Sequence, residues 1–203
     1  MATETPERFE VDTLTAQPWK NGAGLTREIA IGPRGACTAD FDWRISLAEV
    51  AGDAPFSAFP GIDRCITLLR GAGMRLASVD GTVDHRLNQP LAPFRFSGDL
   101  ALNATLLGGA CSDFNVMTRR GAWSAEVSII RAACELADAD VVLLLGVAGT
   151  WQIDADPTDP AAAWRLGPHE ALLWRARCGA LPATPIARHD HALLQVRLCQ
   201  DRR

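Results

Sequence analysis

The sequence predicts an all-β protein built from antiparallel barrels or jelly rolls. Three observations predict it. Apolar and polar residues alternate with period two in short runs, Gly and Pro punctuate the chain between those runs, and helix signals are scarce. Strands this short and this regularly spaced must bury their apolar faces against one another.

The elements follow in chain order. Residues 26–30 read as a strand after a Gly-rich turn. Phe41, Trp43, Ile45 and Leu47 alternate with Asp42, Arg44, Ser46 and Ala48, a two-faced strand. An apolar run at residues 66–69 closes at Gly71-Ala72-Gly73. Residues 74–79 and 82–87 then flank Asp80-Gly81, a strong hairpin signal. Pro90 and Pro93 mark a loop before Phe94-Arg95-Phe96, and residues 100–107 and 113–118 read as further strands. The second half offers strands at 123–132, 141–145, 150–153, 163–166, 171–175 and 193–198, with residues 154–163 as an exposed loop.

The order of these signals repeats. Residues 67–76 and 142–153 each read as strand, Gly-bounded turn, strand. Each is followed by Arg-Leu (Arg86-Leu87 and Arg165-Leu166), then by an aromatic strand at Phe94-Arg95-Phe96 or Leu173-Trp174-Arg175. A duplication splits the chain near Arg119-Arg120-Gly121. We therefore expect one domain over residues 1–120, carrying the candidate pocket, and a second over 121–203.

Composition excludes several function classes. The chain has 203 residues and a net charge of −4, with a pI near 5.5. No basic run interleaves with aromatics, so a nucleic-acid partner is not expected. The longest apolar run, at residues 141–145, is too short for a membrane span. The six cysteines form no CxxC pair and the polar N-terminus resembles no targeting segment, which points to free thiols in a cytoplasmic protein. Of 20 basic residues one is Lys20, so 19 are Arg, the side chain suited to gripping carboxylate or phosphate with two parallel hydrogen bonds.

One stretch near the start demands a decision: Pro18-Trp19-Lys20-Asn21-Gly22-Ala23-Gly24-Leu25-Thr26-Arg27-Glu28-Ile29-Ala30. A dinucleotide fingerprint needs a third Gly three residues after Gly24 and a helix beyond it. Arg27 stands there, in a strand. No Lys-Ser or Lys-Thr pair makes a phosphate loop. The two glycines read as a tight turn, and Arg27 and Glu28 fall on opposite strand faces.

This stretch, with FDWRISLAEV, FSAFPGIDRCITLLRGAGMRL and DFNVMTRRG, resembles the HutD/Ves family. The resemblance runs over nearly the whole chain and is tightest over residues 19–76 and 113–121. It implies a bicupin, two cupin-like barrels in one chain. It also implies an association with bacterial histidine-utilisation gene sets and a small acidic metabolite as ligand. Cupins often pair through their sheets, so a homodimer is expected.

Many cupins bind a metal through three His and a Glu. Here the four histidines are His85, His169, His189 and His191, none within the best-matched words. His189 and His191 share a strand face, but Gln195 stands where an acidic ligand is expected. No metal and no other cofactor is expected. Nucleophilic chemistry has little support: no Gly-x-Ser-x-Gly elbow occurs, and Cys65, beside Arg64, is a thiol whose charged neighbour could lower its pKa.

What remains is polar. Arg27, Arg44 and Arg64 lie on three strands or strand entries. Ser46 shares a face with Arg44, while Asp113, Asn115 and Met117 share another. Periodicity leaves two readings open. These arginines line a pocket, or they pair outside with Asp42, Glu49 or Asp63. The family words contain most of them, which favours the pocket. The candidate ligand-binding set is therefore Trp19, Asn21, Arg27, Arg44, Ser46, Phe59, Arg64, Asp113, Asn115 and Met117. Arginine forks would hold carboxylate and amides would read the remainder. Trp19 and Phe59, with Phe56, would supply apolar walls that exclude water. No catalytic residue is assigned; in an alternative reading, a hydrolase or isomerase, Asp113 is the general base.

Overall fold

The computed structural model describes residues 5–154, 163–186 and 190–201. The expected loop at 154–163 lies almost wholly outside them, and His189 wholly so. Among the described residues there are nineteen strands, one 3-10 turn at Val11–Thr13 and no α-helix.

The chain divides into two compact units, Leu14–Ser124 and Met1–Thr13 with Ala125–Asp201. The first contains β2 (Ala16–Pro18), β3 (Gly24–Gly32), β4 (Trp43–Val50), β5 (Ala54–Phe56), β6 (Ile62–Arg70), β7 (Met74–Ser78), β8 (Asp84–Leu87), β9 (Pro93–Ser97), β10 (Leu102–Leu106) and β11 (Cys111–Arg119). They form a six-stranded sheet, β2-β3-β4-β11-β6-β9, and a four-stranded sheet, β5-β10-β7-β8. The core between them draws Val50, Ile66, Leu68 and Cys111 from one sheet, and Met74, Leu76, Leu87, Leu102 and Ala104 from the other.

The second unit contains β1 (Glu7–Glu10), β12 (Trp123–Ile130), β13 (Cys134–Leu136), β14 (Val141–Ala148), β15 (Trp151–Asp154), β16 (Ala163–Leu166), β17 (Glu170–Trp174), β18 (Leu181–Pro185) and β19 (Ala192–Gln200). Its sheets are β1-β17-β14-β19-β12 and β13-β18-β15-β16. Strand β1 pairs with β17, Glu7 opposite Leu173, so the N-terminal residues belong to this unit. Trp151, Trp174, Leu144, Leu172 and Leu193 fill its core. Truncating Trp151, fully buried, should cost about 3–5 kcal/mol, read as a lower urea midpoint in Trp151→Ala.

The fold is all-β, but no sheet closes on itself into a barrel. Edge strands β2, β5 and β9 carry Pro18, Pro55 and Pro93, which lack the N–H that would continue a ladder.

The two units share a strand order. The run β4-β11-β6-β9 with β5-β10-β7-β8 recurs as β12-β19-β14-β17 with β13-β18-β15-β16. A register shift recurs too, between Ser112 and Asp113 on β11 and at the start of the β14–β19 pairing, between Gly146 and Ala148. Counting from those shifts, Asp113 opposite Leu68 matches Leu193 opposite Gly146. Arg64 opposite Phe96 then matches Val142 opposite Trp174. Where the first unit places Arg64 and Asp113, the second places Val142 and Leu193.

Candidate functional site

Strands β4, β11 and β6 build the floor of a cavity in the first unit. Asp113, Asn115 and Met117 lie opposite Ala48, Ser46 and Arg44 on β4, and opposite Leu68, Ile66 and Arg64 on β6. Period-two geometry puts all nine side chains on one sheet face. Toward Val50 and Cys111 that face is apolar core. Toward the other end it turns polar and opens into a cavity of about 560 Å³, within the size range of small-molecule sites.

The walls come from two loops. The hairpin between β2 and β3 supplies Trp19, Lys20 and Asn21. Gly22 adopts φ +72°, and its N–H donates to the Trp19 carbonyl at 3.0 Å. Trp19 Nε1 donates to Thr26 Oγ1 at 2.8 Å, and its ring meets Phe56 edge-on with centroids 6.1 Å apart. A Cβ on Gly24 would lie 2.5 Å from the Glu49 carbonyl and 3.1 Å from the Trp19 ring. The glycine-rich stretch is thus a hairpin that seats Trp19 at the cavity. Asn21 Oδ1 accepts from the Ala23 N–H at 3.1 Å, so part of its polar capacity shapes the turn. The end of β5 and the segment after it supply the other wall, with Phe56, Ser57 and Phe59.

Arg64 is the most confined cation. It is 7% exposed, and its guanidinium lies 5.3, 5.6 and 5.0 Å from the ring centroids of Phe56, Phe59 and Phe96. One end donates to the Ser57 carbonyl at 3.2 Å, while Nε has no partner in the protein. Burial pushes its pKa down to about 10, and nearby Asp113 opposes that fall. Arg44, also buried, donates through Nε to Glu28 Oε2 at 2.8 Å.

Asp113 is fully buried. Neither of its oxygens, nor Asn115 Oδ1, has a hydrogen-bond partner in the protein. Loss of hydration raises the Asp113 pKa to about 7, against the pull of Arg64. Unpaired buried polar atoms cost stability unless something else satisfies them. Asp113 and Asn115 both line this cavity.

Nine of the ten candidate residues line the cavity: Trp19, Asn21, Arg44, Ser46, Phe59, Arg64, Asp113, Asn115 and Met117. Phe56 lines it as well, as the wall expected of it. Arg27, expected in the site, is the exception and does not line it. It lies opposite Leu47, on the other face of the sheet, and pairs with Glu49. Its neighbour Glu28 lies opposite Ser46 on the cavity face and holds Arg44. Arg27→Ala should therefore leave ligand affinity within about fivefold, because its pair with Glu49 lies on the opposite sheet face and a pair of this kind is worth about 0–1 kcal/mol; calorimetry on the variant checks this.

Sequence reasoning left Pro18, Lys20, Thr26, Ala48, Pro55 and Ser57 out of the site, all of which line the cavity. Two signals could have found some of them. Thr26 shares strand parity with Glu28 rather than Arg27, and Lys20 is the single lysine of the chain.

The lining contains no His or Cys and one Asp, beside two arginines and a lysine. That donor set does not fit the three-histidine-plus-carboxylate site of many cupins, because three cations repel a fourth. Among the described residues, no group of three or more His, Cys, Asp or Glu could hold a metal. His85 stacks on Phe94 with centroids 3.7 Å apart, His169 meets Asp12 at 3.0 Å, and His191 sits edge-on to Trp151. Cys65 is not activated by Arg64. Burial pushes its thiol up to about 11.

Comparison with known proteins decides the family. The HutD family model matches residues 11–192. The chain belongs to the HutD family. The Protein Ves of Escherichia fergusonii is 38% identical over 170 residues, 82% of this chain and 87% of that one. The solved structure of HutD from Pseudomonas fluorescens SBW25 superposes with a TM-score of 0.80 at 28% identity, covering 97% of this chain and all of that one. A conserved protein of unknown function from Pseudomonas aeruginosa PAO1 gives 0.83 at 28% identity with the same coverage. A cupin 2 conserved barrel domain protein from Leptotrichia buccalis, 8% identical, gives 0.58 over 96% of this HutD chain and 97% of its own. That likeness concerns the fold alone.

Proposed function

We propose that this HutD protein is a duplicated cupin whose first unit binds a small acidic metabolite without a metal, in support or control of histidine catabolism. One observation carries the reading. Two buried arginines, Arg44 and Arg64, line a single cavity together with Asp113 and Asn115, whose carboxylate oxygens and Oδ1 have no hydrogen-bond partner in the protein. A carboxylate would take the free edges of the guanidinium groups. An amide or formyl group would take the β11 side chains. Lys20 and Trp19 would cover the mouth. Formylglutamate and urocanate both carry a carboxylate and a nitrogen group. The second unit places Val142 and Leu193 where the first has Arg64 and Asp113, and Gln195, which matches Asn115, donates to the Ala137 carbonyl, so the binding role is assigned to the first. The homodimer is a further proposal, read by light scattering.

A thermal-shift screen against histidine, urocanate, imidazolone propionate, formiminoglutamate, formylglutamate and glutamate tests the reading. A ligand at about 100 times its Kd adds about 2.7 kcal/mol, a shift of a few degrees. A selective shift supports binding; no shift from any of the six contradicts it.

The raised pKa of Asp113 favours a second reading, in which the same cavity is a hydrolase or isomerase with Asp113 as general base. Recovery of unaltered ligand after prolonged incubation would remove that reading.

A further inference from the structure

We propose that the cavity captures its anion together with one proton, held on Asp113, so that Asp113 selects when and what the site binds. This deepens the binding reading above and rests on it.

The geometry makes Asp113 and an incoming carboxylate rivals. Asp113 sits on the cavity floor between Ala48 and Leu68, with no exposure and no hydrogen-bond donor for either oxygen. Its one electrostatic counterweight is Arg64, which lines the same cavity and whose Nε has no partner in the protein. An anion seated on Arg64 removes that counterweight and adds a second negative charge. In a site with little water to screen them, two carboxylates sharing one arginine cannot both stay ionised. Proton uptake resolves the conflict. A neutral Asp113 no longer repels the anion, and its O–H becomes a donor to a ligand oxygen.

The surrounding groups leave Asp113 as the place for that proton. On β4, Arg44 is tied to Glu28 of β3. On β11, Cys111 is a thiol pushed up to about 11 by burial and by Asp113. Lys20 is exposed on the hairpin. The facing sheet contributes apolar side chains to this interior, Met74, Leu76, Leu102 and Ala104 among them. The site therefore prefers anions able to accept a hydrogen bond from a neutral carboxyl, and it releases them as pH rises.

The test titrates the full chain with N-formylglutamate in two buffers of different ionisation enthalpy, from about pH 6 to about pH 9. We expect proton uptake that peaks above neutrality, about half a proton per ligand for a one-unit rise in the Asp113 pKa and more for a larger rise, with affinity falling as pH rises through that window. Asp113→Asn should still bind but lose both the buffer dependence and the slope. Equal heats in both buffers with flat affinity, or a slope that survives in Asp113→Asn, overturns the proposal and leaves the binding reading intact. Absence of heat at any pH counts against that reading. Acetate, a minimal carboxylate, then probes the linkage by itself. The Asp113 carboxyl carbon resonance, identified by its loss in Asp113→Asn, should titrate near neutrality and move up by about one pH unit or more with saturating acetate. A midpoint below about pH 5, or one that acetate leaves in place, overturns the proposal.

Discussion

Arg64→Ala loses affinity for the acidic ligand by roughly 30- to 4,000-fold, while the fold survives. The size follows from burial. Removing one partner of a desolvated, hydrogen-bonded charge pair costs about 2–5 kcal/mol, and each 1.4 kcal/mol is about tenfold in Kd. The fold survives because Arg64 is held by three aromatic faces and a single carbonyl bond, while its own burial opposes the charged form. Losing the ring contacts costs about 1–2 kcal/mol, offset in part by removing a desolvated charge. Arg64→Lys separates charge from geometry. It keeps the cation but loses the planar fork, so its affinity should fall between wild type and Arg64→Ala. Calorimetry on the three proteins, with circular dichroism to check the strands, reads the series. Wild-type affinity in Arg64→Ala would remove Arg64 from the site.

Asp113→Asn stabilises the free protein at alkaline pH, by roughly 4 kcal/mol near pH 8. The sign follows from linkage. Asp113 titrates at about 7 in the folded protein against 3.8 as the ordinary value, so the native state binds more protons than the unfolded chain between those limits. Wild-type stability therefore falls as pH rises from about 4 to about 7, then levels off. The two values lie about three pH units apart, and each pH unit is worth about 1.36 kcal/mol. Asn carries no charge to desolvate and keeps the shape. The advantage should shrink below neutrality and vanish below about pH 4. Urea denaturation of both proteins across that range measures it. Equal stability at pH 8 would mean that Asp113 is solvated or paired in the free protein.

Much of this architecture is legible in the sequence because core strands are long and mark themselves. The alternation from Phe41 to Ala48 locates β4, and Asp80-Gly81 locates the β7–β8 hairpin. The short strands β1, β2, β5, β13 and β18 are not legible. Each has three to five residues, too few for a period to register, and three of them contain Pro. Alternation leaves one choice open. It does not separate a pocket face from a solvent face for the polar residues of β4 and β11, and the structure buries Arg44, Ser46, Asp113 and Asn115. A strand that borders a cavity has the sequence pattern of a strand that borders water. The choice between Arg27 and Glu28 fails for a related reason. Both are charged and adjacent, and the irregularity between Glu28 and Ala30 is invisible in sequence. Phe56 is legible as an apolar wall, but its seat against the Arg64 guanidinium is not. That contact joins residues of two strands in different sheets, and no local pattern encodes it.

A crystal structure of the chain grown with N-formylglutamate tests the central claim most directly. The account predicts a ligand carboxylate within hydrogen-bonding distance of the Arg64 guanidinium, in the cavity between the Trp19 hairpin and Phe59, with Asp113 or Asn115 meeting its nitrogen end or a second oxygen. A ligand bound elsewhere, or a cavity filled by its own side chains at saturating concentration, would contradict it.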